Sequence, residues 1–287
     1  MILVTGAAGK TGQAIISQLV KSGEEIRALV HREDQVPLVE NLGVQEVIVG
    51  DMLKQKTRDQ ALDGIRAVYH IPPSANQQEA AIGEAMIDAA VNSGVEHFVF
   101  HSVLHPQLAG LTHHHQKLLV EEKLIQSGLP FTILQPASYM QNILGSWDQL
   151  MQGIYPSMYD LSTRVDLVDL DDVGEVAAIV LREKSHFSAS YELCSGANLS
   201  VSEIIAFWSS HLGTPVEGRV VPMSAWEDGA RNSGLEPARV ATLSRMFQYY
   251  GTYGFPGNSS VLGWILHRNP TSYEEFIEKT LQKNATQ

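Results

Sequence analysis

The feature that most constrains this chain is a glycine-spaced turn at its start. Met1 to Thr5 is a short apolar run of strand formers, and Gly6-Ala7-Ala8-Gly9-Lys10-Thr11-Gly12 follows with no spacer. Ala14, Ile15, Ile16, Leu19 and Val20 then recur at helical spacing. A strand therefore runs into a glycine turn, and the turn runs into a helix. Gly6, Gly9 and Gly12 can serve a tight turn, close approach of a ligand to the backbone, and close packing of helix on strand. The first N–H groups of such a helix lack intrahelical carbonyls and sit at the positive end of its dipole, so they suit a phosphate. The spacing is G-x-x-G-x-x-G rather than the commoner G-x-G-x-x-G. It predicts a nucleotide site built on Gly6, Gly9, Lys10, Thr11 and Gly12.

Downstream, strand and helix patterns alternate. Strands are expected at 25–30, 46–49, 67–71, 97–100 and 131–134, with helices at 37–42, 53–62, 77–92 and 113–126 between them. That alternation predicts an α/β fold: a doubly wound, parallel Rossmann sheet with helices on both faces. Ligands in such sheets bind beyond the carboxyl ends of the strands. Past residue 150 the pattern loosens. A strand is expected at 165–168, a helix capped by Asp171 or Asp172 through Leu181, a strand at 191–194, and a helix opened by the Ser200/Glu203 capping box. Residues 246–257 are aromatic and glycine-rich, and Thr271-Ser272-Tyr273-Glu274 starts a closing helix. The expected division is a nucleotide-binding domain over 1–152 and a smaller C-terminal substrate lobe over 153–287, with some later segments returning to the main sheet.

Composition narrows the function. The 287 residues carry a formal net charge of −12, which argues against a nucleic-acid surface or a polybasic membrane anchor. No apolar run approaches the roughly 18–20 residues that span a bilayer. The chain opens on a strand rather than a charged segment followed by an apolar one, so no leader is expected. Cys194 is the only cysteine, which suits a buried structural thiol in a reducing cytoplasm. Adjacent histidines 113–115 do not face one point, and His97, His101 and His105 begin on a strand, so no metal site is expected.

The tip of the second strand selects the cofactor. It reads Leu29-Val30-His31-Arg32, with no acidic residue to accept a ribose 2′-hydroxyl. Arg32 offers a planar fork for a 2′-phosphate, and Lys10 can add charge, which favours NADP(H) over NAD. After the third strand, Asp51 is placed for the adenine edge and Met52 for its face. A helix-capping Asp51 is the other reading. Tyr69, His70 and Ile71 end the fourth strand near the expected nicotinamide.

Three stretches carry a family resemblance: Gly6, Gly9 and Gly12; His101-Ser102-Val103-Leu104-His105-Pro106; and His113 to Lys117, continuing through Val120-Glu121-Glu122 to Ser127-Gly128-Leu129-Pro130-Phe131-Thr132-Ile133-Leu134-Gln135-Pro136. Together they resemble the NmrA-like branch of the atypical short-chain dehydrogenase/reductases, with weaker matches at 169–178 and 269–276. The resemblance covers most of the chain. It implies a Rossmann fold and NADP(H). Related proteins include quinone, triphenylmethane, isoflavone and lignan-type reductases, and NADP-sensing regulators without evident turnover.

Short-chain dehydrogenases pair a Ser with Tyr-x-x-x-Lys. Here Lys117 matches the lysine and Ser102 the serine, while His113 stands at the tyrosine position. The resemblance implies Lys117 and Ser102 as catalytic residues and leaves the family's proton donor missing; His113 is the candidate catalytic residue in its place, with a capping or surface role as the other reading. Lys117 would also hold the nicotinamide ribose, and His113, titrating near neutrality, would give the proton. Tyr139, Met140 and Asn142, after the sixth strand, are expected at the substrate or cofactor. Trp226, Phe247, Tyr249, Tyr250, Tyr253 and Phe255 either cap that pocket or pack the lobe.

The resulting expectation is an NADP(H)-dependent oxidoreductase acting as a monomer or homodimer on a flat, apolar small molecule: a carbonyl, a quinone or an activated alkene. The alternative is an NADP-binding redox sensor that works through a protein partner. An isomerase would need the missing Tyr-x-x-x-Lys pair.

Overall fold

A computed structural model describes residues 1–285. Six strands alternate with five helices: β1 (Ile2–Thr5), α1 (Lys10–Lys21), β2 (Ile26–Val30), α2 (Val36–Glu40), β3 (Glu46–Val49), α3 (Gln55–Leu62), β4 (Ala67–His70), α4 (Glu79–Asn92), β5 (His97–His101), α5 (Thr112–Gln126) and β6 (Phe131–Pro136). There follow β7 (Ser138–Tyr139), α6 (Trp147–Met151), β8 (Ile154–Ser157), β9 (Arg164–Val165), β10 (Leu167–Val168), α7 (Leu170–Arg182) and β11 (Ala189–Leu193). The chain ends with β12 (Leu199–Ser200), α8 (Val201–Leu212), β13 (Glu217–Val220), α9 (Met223–Asn232), α10 (Pro237–Tyr253), α11 (Ser260–Leu266) and α12 (Tyr273–Ala285).

The chain divides into two compact units, 1–136 with 170–192, and 137–169 with 193–287. The sequence-based boundary near 152 lies inside the second unit, and α7 with most of β11 belongs to the first. The break falls where the sixth strand ends at Pro136, not where the helical pattern loosens.

The first unit holds a sheet of order β11-β6-β5-β4-β1-β2-β3. The pairings of β1 with β2 and β4, β2 with β3, β4 with β5, and β5 with β6 are all parallel. From β1 the chain builds outward through β2 and β3, then crosses back to place β4 on the other side of β1. The switch point of the sheet is therefore between β1 and β4, where a crevice opens at the carboxyl ends.

Both faces are covered, so β1, β4 and β5 are buried along their whole length and read as apolar runs. Leu3, Leu29, Val68, Phe98, Phe100 and Ile133 share one core with Ala61, Ala80, Met86, Ala90, Val120 and Leu124 from α3, α4 and α5. Alternate strand residues face the other side, which α1 and α7 cover. Those two helices pack closely because Gly174 has no side chain: a Cβ there would stand 2.7 Å from Gln18 Cγ. Gly83 does the same between α4 and α5, where a Cβ would lie 2.5 Å from Val120 Cγ2.

In the second unit, short strands pair as β7 with β10, β8 with β13 and β9 with β12. The expected strand over 165–168 is broken into two dipeptide bridges, β9 and β10, with Asp166 between them. In the first unit, Asp171 and Asp172 sit inside the first turn of α7 rather than capping it. The Ser200 cap forms as expected: Ser200 Oγ accepts from the Glu203 N–H, and Glu203 accepts from the Ser200 N–H. Ser272 and Glu275 repeat that box at α12. Residues 246–253 are helical despite Gly251, because their aromatic residues recur at three- and four-residue spacing.

Of the two readings of the late aromatic residues, most follow the second and pack this unit. Tyr250 and Phe255 are buried and stacked at 4.1 Å, and the Trp226 and Phe247 rings meet edge to face at 5.0 Å. Tyr253 is the exception, at 70% exposed. Cys194 is buried beside Gly257. No helix among the described residues is long and apolar enough to cross a membrane.

Gly83→Ala places a methyl against Val120 and is expected to destabilise the first unit by about 1–3 kcal/mol. Chemical denaturation of the variant measures it.

Candidate functional site

The glycine turn follows β1 at the switch point. Gly6 has φ +59°, a left-handed conformation that glycine adopts without strain. It also lies against the segment after β4: a Cβ on Gly6 would stand 2.8 Å from Ile71 O. Thr5 pins that segment, its hydroxyl accepting from the Ile71 N–H at 2.9 Å and donating to Ile71 O at 3.2 Å. The Gly9 N–H donates to Gly6 O at 3.1 Å and closes the turn. Gly12 meets the turn from inside α1, where a Cβ would stand 2.5 Å from Gly6 O and 2.6 Å from Ala7 O. Exposed Lys10 and half-buried Thr11 begin α1, so the three glycines keep side chains away from the helix end.

Beside this turn, Arg32 is exposed at the tip of β2 and forms a two-pronged pair with Asp34, at 2.9 and 3.1 Å. An exposed pair of this kind contributes little and exchanges readily. After β3, Asp51 Oδ1 accepts from the Leu53 N–H at 2.9 Å. Asp51 therefore shapes the turn, and Lys54, not Asp51, precedes α3. Met52 is half-buried against the core. Tyr139 lies in the second unit, in β7 beside Val168 of β10. Met140 is buried there and Asn142 exposed.

The densest chemistry gathers where β5 ends against α4 and α5. Lys117 is only 8% exposed. Its ammonium lies 2.8 Å from Glu79 Oε1, donates to His101 O at 3.1 Å, and stands 5.5 Å from the Phe100 ring centroid. Glu79 opens α4 and is fully buried; desolvation pushes its carboxyl up while Lys117 pulls it down. The adjacent Ala80 N–H donates to Gln116 Oε1 at 2.9 Å, so two neighbours on α5 dock the start of α4. One turn beyond Lys117, Glu121 accepts from Ser102 Oγ, and from Gln135 Nε2 at 2.9 and 3.1 Å. Burial raises the Glu121 carboxyl as well.

These contacts bear on three sequence expectations. Ser102 is buried and its hydroxyl proton goes to Glu121, not to a substrate carbonyl. His113 is buried, and desolvation, with His114 and Lys117 nearby, lowers its pKa to about 3. It is neutral at physiological pH and has no near-neutral proton to give. Tyr69 and His70, expected near the nicotinamide, are fully buried: the Tyr69 hydroxyl bonds His101 Nδ1 at 2.8 Å, and His70 Nδ1 bonds Thr5 Oγ1 at 2.9 Å. Among the described residues, no group of three His, Cys, Asp or Glu could hold a metal ion.

Sequence reasoning missed Glu79. It is 38 positions from Lys117, and although it shares the buried face of α4 with Ile82 and Met86, an acidic residue at a helix start reads as a first-turn charge. Glu121 carried a weak signal, one helical turn from Lys117 on the same face.

The glycine turn at the switch point of a parallel, helix-covered sheet defines a class, a Rossmann-type α/β protein. The chain belongs to the NmrA-like family, which it matches over residues 1–286. It is 25% identical over 279 residues to an NAD(P)H azoreductase of Xenophilus azovorans, covering 97% of each chain. It is also 25% identical to quinone oxidoreductase 2 of Escherichia coli, covering 99% of this chain and 100% of that one. Among solved structures, triphenylmethane reductase of Citrobacter superposes with a TM-score of 0.84 at 22% identity, covering 98% of this chain and 99% of that one.

The buried histidines set a pH dependence. His70, His101 and His113 are lowered to about 3, and His97 and His114 to about 4, desolvation leading in each. Each folded-state pKa lies below the unfolded value, so the unfolded chain binds more protons as pH falls below about 6.5. Their stabilisation is complete above that pH and is lost progressively towards pH 3–4. Raised carboxyls at Glu79, Glu121 and Asp166 act with the opposite sign, three groups against five. Melting temperatures are expected to fall steadily between about pH 6.5 and 5. A flat profile would contradict it.

Proposed function

We propose that this protein is an NADP(H)-dependent oxidoreductase that transfers hydride to a small carbonyl, quinone or activated alkene. The observation that carries this reading is Lys117, buried and charge-paired at the carboxyl end of β5 in the same unit as a glycine turn with no room for side chains. Its relatives named as an NAD(P)H azoreductase and a quinone oxidoreductase support it. A dinucleotide fits the residues present. Gly6, Gly9 and Gly12 leave backbone exposed where a pyrophosphate would lie, and the first N–H groups of α1 offer donors. Arg32 exchanges Asp34 for a 2′-phosphate at small cost.

Reduced nicotinamide supplies the hydride when bound. The chain supplies position and charge. The Lys117 ammonium faces Glu79 and donates to His101 O, and a remaining N–H would serve the nicotinamide ribose. A positive charge in a dry site stabilises the negative charge that develops on the substrate oxygen or nitrogen. His113, held neutral, acts as a hydrogen-bonding group rather than an acid. A flat, apolar substrate is proposed on the chemistry of the named relatives.

Stopped-flow NADPH oxidation against quinones, enones and azo dyes tests the reading. Turnover is expected, with Lys117→Met lowering kcat/KM on the order of a hundredfold. Arg32→Ala is expected to lower the preference for NADPH over NADH about tenfold.

A second reading, a redox sensor that binds NADP(H) without turnover, is favoured by one observation. Ser102 and His113, two of the three expected proton-handling groups, are occupied or neutral. Unequal binding of NADP+ and NADPH with no turnover of any acceptor would select it.

A further inference from the structure

We infer that Glu79 is the positioning residue of this site: its buried carboxylate holds the Lys117 ammonium charged and in place at the end of β5. The inference rests on the function proposed above and assigns a role to a residue outside the Ser, Tyr and Lys positions of the short-chain dehydrogenase pattern.

Glu79 is the first residue of α4 and is fully buried. A carboxylate with no solvent access persists only where charge or hydrogen bonds replace its water. Lys117, 2.8 Å away, is the cation that does so. The reverse also holds. An ammonium only 8% exposed is costly to keep in a low dielectric without a counter-charge. Among the described residues, no other carboxylate is ion-paired with Lys117. Glu121, one turn along α5, spends its oxygens on Ser102 and Gln135.

The remaining titratable groups that feel Lys117 are His70 on β4, His101 on β5, and His113 and His114 on α5. All four are pushed well below neutrality, so none changes charge between pH 6 and 9. Glu121 also feels the Lys117 charge, so the neighbourhood holds two carboxyls, of which Glu79 is the one paired directly with the ammonium. The local fold builds that contact deliberately: the Ala80 N–H to Gln116 bond fixes the first turn of α4 against the turn of α5 that carries Lys117. Glu79 sets direction as well as charge. With the ammonium facing Glu79 and one N–H on the carbonyl of the last β5 residue, the directions left to its remaining N–H groups are restricted.

A structural role alone and a positioning role separate on the pH profile. Glu79→Gln keeps the volume and removes the charge, whereas Glu79→Asp keeps the charge. Wild type and Glu79→Asp are expected to show no loss of kcat/KM that tracks a lysine between about pH 6 and 9. Glu79→Gln is expected to lose about tenfold per pH unit above a new apparent pKa in that range. A Glu79→Gln profile parallel to wild type would overturn the inference.

A thermal double-mutant cycle reads the same pair without catalysis. Lys117→Met strands the buried carboxylate and is expected to lower the melting temperature, and adding Glu79→Gln is expected to restore a large part of the loss. A double variant no more stable than Lys117→Met would also overturn the inference. If wild type turned over no acceptor, the oxidoreductase reading would fail while this cycle still decided whether the pair is coupled.

Discussion

The ion pair between Glu79 and Lys117 is the interaction on which the candidate site depends. Two opposite charges taken out of water cost more than they return unless their geometry is good and further hydrogen bonds are made. Here the geometry is supplied by two helices packed closely enough that Gly83 of one must lack a side chain against Val120 of the other. The further bond is supplied by the carbonyl that ends β5. Helix packing, strand end and charge pair are thus one device. A cation is held in a dry place at the carboxyl end of the sheet, where parallel α/β folds bind ligands.

The glycine turn at the end of β1 is the complementary half. Its demands are steric: a left-handed residue at Gly6, contact with the segment after β4, and a helix start pressed against the turn at Gly12. The charge pair demands burial and the turn demands bare backbone. Together they suit a ligand with an anionic middle and a reactive end, as a dinucleotide has. The surrounding histidines extend the same logic. Burial keeps them neutral, so the lysine is the principal positive charge of the cluster at physiological pH.

Much of this was legible in sequence because it is local. The alternation of apolar runs gave the doubly wound sheet, and the glycine spacing marked the turn. The capping box at Ser200 and Glu203 named its own helix start. What was not legible depends on residues far apart in the chain. Whether Ser102 faces a substrate or Glu121 is decided by how α5 lies on β5, and no spacing encodes it. The charge state of His113 depends on how completely the fold buries it. The break at Pro136 was missed because the nearby helical patterning continues past the end of the sheet strand. Glu79 shows the limit most clearly: in sequence it is one more acidic residue at a helix start, and only the packing of α4 on α5 makes it the partner of Lys117.

The most direct test of this account is a structure determined with NADP(H) bound. The account predicts Lys117 Nζ within about 3.2 Å of a hydroxyl of the nicotinamide ribose, still paired with Glu79, and the pyrophosphate against the first turn of α1. A nicotinamide ribose held elsewhere, with Lys117 enclosed by Glu79 and His101 and touching nothing of the cofactor, would contradict it.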